Sequence, residues 1–287
     1  MLPLARRYIK FPLITSVSTL LNSSVYEMPV FLFAYYLGIT VVGYYSRCLL
    51  LLGMPITLTG GAISQVFFQR VSQWKNEGRS VDILIEGVLL RLLHLTILPF
   101  LLIALFGKDI YTIVLGNQWS EAGVYTSILV PRYLFLALTT PLMATFITFE
   151  RQGFELIFNI LLTTFTLGAI VLGGSIFRDA RLTIVLFSLA GTIIYILRLA
   201  YILSIAKASI TKIIHKFLPY FIYNIPLLII IVAARWWVKL SLPWLVVVFV
   251  AILVIYYILV LHRDEYLRGV LRTLIQETLY TNKPKDT

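Results

Sequence analysis

Four arginines, Arg47, Arg91, Arg132 and Arg198, lie with Glu27 and His94 inside long apolar runs of this 287-residue sequence. A guanidinium stays protonated at any physiological pH. Placed at mid-bilayer it costs roughly 2.5–3.5 kcal/mol on insertion scales, so such groups usually face a bundle interior or a wet cavity, where a counter-charge or an anionic ligand offsets the cost. The chemistry these residues offer is therefore binding of anions or ions. Covalent chemistry has no comparable candidates. The three histidines, His94, His215 and His262, share no ligand spacing, and neither a glycine-rich phosphate loop nor a nucleophile with a nearby base occurs. The single cysteine, Cys48, excludes an intramolecular disulfide and a cysteine metal cluster. No catalytic residue, metal or cofactor is expected, and the pattern is that of a transporter or channel rather than an enzyme.

Depth separates the arginines. Arg132, in the stretch GNQWSEAGVYTSILVPRYLFLALTTPLMATF, falls about 16 Å from the outer end of its run. That is close to mid-membrane, too deep to snorkel. Pro131 beside it removes a backbone donor and bends the helix locally. Helical phase lines Tyr125, Arg132, Thr139 and Glu150 along one stripe. Glu27 is equally deep in its own run and shares a face with Ser16, Thr19 and Ser23. Two readings stay open for it: a structural ion pair with Arg47 or Arg132, or coupling to protons or sodium. Arg47 starts a third polar face, with Gln65 and Gln69, but sits only about 10 Å from its outer end. Arg91 and Arg198 lie near the inner ends of their runs and are read as snorkelling to headgroups.

The elements that position these residues follow from hydropathy. The chain is 60% hydrophobic with mean hydropathy +0.92, far more apolar than a soluble domain of this size. A crossing helix needs about 20 mostly apolar residues, and these runs are too continuous for barrel strands. The reading is an all-α polytopic membrane bundle of about eight helices, at 12–37, 41–69, 87–106, 121–148, 154–174, 182–204, 217–234 and 243–261. With the N-terminus inside, the outer loops hold only Lys108, Arg178, Arg181, Arg235 and Lys239, while the inner segments hold the rest of the loop lysines and arginines. Both ends are then cytoplasmic by the positive-inside rule. Trp236, Trp237 and Trp244 mark the outer interface, and Tyr256 and Tyr257 approach the inner one. The first run is too long for a cleaved leader and is read as a retained span. Three stretches, SVDILIEGVLLRLL, AKASITKIIHKF and EYLRGVLRTLIQETL, read as interfacial helices that anchor to an anionic leaflet or dock a cytoplasmic partner. The basic excess, 24 Lys and Arg against 13 Asp and Glu, thus serves orientation and the membrane surface, not nucleic acid.

Phe11-Pro12, Asn22, Pro29, Gly43 with Tyr45, Pro55, Gln65-Val66-Phe67, then Gly116, Trp119, Glu121-Ala122-Gly123, Pro131 and Pro141 together resemble the second half of Wzx-type polysaccharide flippases. These belong to the multidrug/oligosaccharidyl-lipid/polysaccharide exporter superfamily. The resemblance implies flipping of an undecaprenyl-pyrophosphate-linked oligosaccharide across a bacterial inner membrane, through a cationic cavity between two six-helix lobes. It implies a second six-helix lobe at residues 1–206, an additional helix pair at 207–262 and a cytoplasmic amphipathic tail at 263–287. The first lobe lies outside these residues, so a separate N-terminal six-helix half is an expected partner alongside the bilayer and the lipid-linked oligosaccharide. In this frame Arg132 and Arg47 hold pyrophosphate or acidic sugars, Gln65, Tyr125 and Thr139 contact glycan hydroxyls, and Glu27 couples ions. A multidrug-type exporter, a non-transporting remnant and a membrane glycan polymerase are the rivals. The polymerase is least favoured, because the outer loops are short and sparse in reactive groups.

Overall fold

A computed structural model describes residues 10–219 and 242–263, with isolated positions between them. All of the described elements are helical, and no strand occurs among them. They are α1 (Lys10–Leu37), α2 (Ile39–Asn76), α3 (Asp82–Leu115), α4 (Ser120–Thr139), the short α5 (Ala144–Thr148), α6 (Gln152–Leu172), α7 (Ala180–Ile205) and α8 (Leu242–Arg263). A 3-10 turn at Asn117–Trp119 leads into α4, a second at Thr140–Met143 separates α4 from α5, and a π-helical turn at Gly173–Phe177 ends α6. Five helical stretches among the described residues are long and apolar enough to cross a membrane, starting at Ile39, Asp82, Asn117, Gln152 and Ala180. The chain is a polytopic membrane bundle. The seventh expected span, Trp236, Trp237 and the amphipathic tail lie outside the described residues, while Trp244 falls in the first turn of α8.

The helices run further than hydropathy indicates. With 34 residues, α3 is about 51 Å long, against about 30 Å of hydrocarbon. Its first turns absorb the stretch SVDILIEGVLLRLL, which is thus the start of a spanning helix and no separate interfacial segment. The connection expected across Gly107–Ser120 shrinks to the turn after Leu115, and that at Arg70–Glu86 to 77–81. Backbone hydrogen bonding explains both extensions. A helix satisfies its own amides whatever its side chains are, so mixed-polarity flanks prolong it into the headgroup layer.

At the centre stands α4, packed against α2, α3 and α7, while α6 packs on α1 and α7. The tightest crossing joins α3 and α4. A Cβ placed on Gly123 would meet Lys108 Cα at 2.4 Å and Gly107 O at 2.5 Å, so two glycines let the backbones touch. A bidentate ion pair from Arg181 to Glu121, at 2.6 and 2.7 Å, pins the N-terminal end of α7 to α4. At the other end the Glu86 carboxylate, buried on α3, accepts from the Ser209 amide at 2.9 Å and fastens the chain after α7. Pro99 leaves the Leu95 carbonyl without its helical donor, and Tyr257 of α8 supplies a hydroxyl there at 3.0 Å. Tyr256 donates to the carbonyl of His94 next to it. These tyrosines join α8 to α3.

Candidate functional site

Arg132 is the centre of the arrangement. It projects from α4 and is 3% exposed. Its guanidinium lies over the Phe187 ring of α7 at 4.1 Å, with Tyr195 at 5.9 Å, and donates a long hydrogen bond of 3.4 Å to the Phe187 carbonyl. Room for it exists because α7 has Gly191 at that level: a Cβ there would stand 2.1 Å from Nη1 and 2.8 Å from Cζ. Phe33 of α1, Tyr45 of α2 and Phe187 pack edge to face beside it, with centroids 4.9 to 6.0 Å apart. Tyr26, Tyr45 and Tyr133 stand near enough to feel its charge. Such a quadrupole cage holds a cation without neutralising it.

A second buried cation adjoins the first. Arg198 of α7 is 1% exposed and is one turn on from Tyr195, whose ring is 5.6 Å from its guanidinium. Nη2 donates to Asn159 Oδ1 of α6 at 2.7 Å, Phe158 lies 5.8 Å away, and Nε has no hydrogen-bond partner. Glu155 of α6 acts on it electrostatically but forms no ion pair with it. Arg198 thus does not snorkel. The bundle closes over it because Asn159, Phe158 and Met143 come from elements that sequence distance conceals. The signal available in sequence was a cation and an aromatic one turn apart, Tyr195 and Arg198, on an apolar helix.

Neither guanidinium makes a hydrogen bond to a carboxylate, and both share Tyr195. The edge of the cluster that reaches the surface is Tyr26 on α1, 40% exposed, which lies within electrostatic reach of Arg132, Tyr133 and Tyr195. Two desolvated cations with amide and hydroxyl dipoles around them are donor groups of the kind that an anion with several oxygens would pair with. Five elements build it: α1, α2, α4, α6 and α7.

Other residues singled out in the sequence lie elsewhere. Arg47 is exposed on α2 and rests on Trp119 at 5.5 Å, a ring about 20 Å of helix rise before Arg132. The structure therefore separates Arg47 from Arg132. Gln65 is exposed on α2, about 30 Å of helix beyond Tyr45, and is likewise remote from the cluster. Tyr125 and Thr139 lie one stripe with Arg132, two turns either side. Tyr125 packs on Tyr44 at 5.9 Å, and the Thr139 hydroxyl is spent on its own helix, on the carbonyls of Phe135 and Leu136. Glu150 leaves that stripe, because the 3-10 turn breaks the helix and Glu150 itself turns the chain at φ 55°. Glu27 is exposed on α1 next to Tyr26 and has no ion pair with Arg47 or Arg132. The side chains of Ser16 and Thr19 lie outside the described residues.

Residues 2–124 match the polysaccharide biosynthesis protein family, a flippase-like, transporter-type family rather than a catalytic one. The matched segment covers α1, α2, α3 and the first turn of α4, including Tyr26 and Tyr45, and stops before Arg132. No curated protein and no solved structure matches the chain.

Proposed function

We propose that this multi-pass membrane chain, a polysaccharide biosynthesis protein of the flippase type over residues 2–124, translocates an oligosaccharide carried on a lipid pyrophosphate. Arg132 and Arg198 receive the charged linkage. The observation that carries the reading is the pair of guanidiniums buried about Tyr195 with no carboxylate bonded to either. A pyrophosphate crossing hydrocarbon needs fixed positive partners, and planar forks match its oxygens in a low-dielectric site. The exposed face of α1 around Tyr26 is where the substrate enters the cluster. The same face receives the separate N-terminal six-helix half with which this chain encloses a cavity. Glu27, beside Tyr26, is the residue through which an ion gradient drives the cycle.

The test is export of lipid-linked glycan by cells that depend on this chain, compared at equal membrane levels. Arg132→Gln and Arg198→Gln each remove a charged partner worth about 2 kcal/mol or more, so each is expected to lower export roughly thirty-fold. Lipid-linked oligosaccharide then accumulates on the inner leaflet. Wild-type export by both variants would overturn the proposal.

A further inference from the structure

A groove of about 360 Å³ separates α2 from α3 near the turn that carries Trp119, away from the buried arginine pair. Leu51 and Met54 of α2 and Ile110 and Val114 of α3 form its walls, and Arg47 is the one charged group on its lining. Tyr111 also faces it, but its hydroxyl donates to the Arg47 carbonyl at 2.7 Å, which ties the two helices together at the groove and leaves its interior apolar. From Arg47 to Met54 the groove descends about 10 Å along α2. Met54 and Val114 are each more than half exposed, so it opens sideways toward lipid.

We propose that this groove seats one acyl chain of an anionic glycerophospholipid whose phosphate is held by Arg47. Three observations choose that occupant. The Arg47 side chain is exposed, rests on Trp119 and forms no ion pair among the described residues, so its charge is free to take an external anion. An interfacial tryptophan beside it sets the level of the headgroups. The apolar part continues from that level into the membrane, as an acyl chain does. An acyl chain gains little by leaving bulk lipid for a lipid-like groove, so selectivity must come from the headgroup. A net-negative headgroup near one arginine is favoured about fivefold over a zwitterionic one. This site stands apart from the translocation reading, because it shares no residue with the Arg132 cluster.

The experiment is native mass spectrometry of the full chain, delipidated and titrated with phosphatidylglycerol or phosphatidylcholine of the same chain length. The wild type is expected to retain one phosphatidylglycerol about fivefold in preference to phosphatidylcholine, and Arg47→Gln to abolish the preference while still binding either lipid weakly. Leu51→Trp, which fills the groove, is expected to lose both lipids. Equal retention of the two lipids by the wild type, or an unchanged preference in Arg47→Gln, would overturn the assignment, and neither outcome depends on Leu51→Trp folding.

Discussion

Arg132 and Gly191 act as one unit at the scale of single residues. The glycine supplies a slot rather than a contact, because the guanidinium occupies the volume that any Cβ there would fill. Gly191→Ala is expected to push the Arg132 head off Phe187 and cut glycan export nearly as far as Arg132→Gln does. Residues that share one interaction are not additive. The double variant should therefore export no less than Arg132→Gln alone, and a multiplicative loss would show that Gly191 matters for another reason. Arg198 has the opposite character: it is held by Asn159 at 2.7 Å, so its position is set from α6. Arg132 was legible beforehand because depth along an uninterrupted apolar run follows directly from residue number. Arg198 was not, because its distance from a helix end says nothing about whether a neighbouring helix covers it.

Helix pairs are held by close backbones, freed carbonyls and end-to-end ties at the scale of elements. Hydrocarbon gives no hydrophobic reward for joining two apolar helices. The contact at Gly107 and Gly123 is therefore the point at which α3 and α4 are most sensitive. Gly123→Val is expected to cost about 1–3 kcal/mol by forcing the backbones apart, seen as a lower unfolding midpoint of the purified chain in detergent. An unchanged midpoint would mean that the crossing is not set by these glycines. Pro99 illustrates a different rule. A proline inside a membrane helix strands a carbonyl that another element must satisfy, and the Tyr257 hydroxyl does so from α8. Prolines are visible in any sequence, but the donor that answers them is a tertiary fact.

Alternation of the helices organises the whole molecule. The turns at Gly38, Asn117 and Arg178 lie at one end of the bundle, and those at Gly78, Glu150 and Lys207 at the other. From the distribution of lysine and arginine, the second group is expected to be the cytoplasmic one. With Cys48 replaced by Ala, single cysteines at 38, 117 and 178 are expected to react with an impermeant thiol reagent from outside intact cells. Cysteines at 78 and 150 should react only after permeabilisation. Labelling of both groups from one side would refute the threading and, with it, any passage between the ends. The ion pair of Arg181 with Glu121 and the tie from Glu86 to Ser209 fasten opposite ends of the bundle, so α7 is clamped at both while the cluster occupies the space between.

The sequence alone determined that this chain spans a membrane repeatedly as helices, that Arg132 lies deep, and that the motifs from Phe11 to Pro141 resemble those of a flippase. Hydropathy and motif spacing are local quantities, summed along the chain, and folding does not change them. Only the tertiary structure decided that Arg198 joins Arg132 about Tyr195, that Arg47 and Gln65 stand apart from both, and that Gly191 makes the space. Those outcomes depend on the rotation and depth of each helix against its neighbours. Contacts between distant elements set both, and along an evenly apolar helix the chain itself leaves them nearly free.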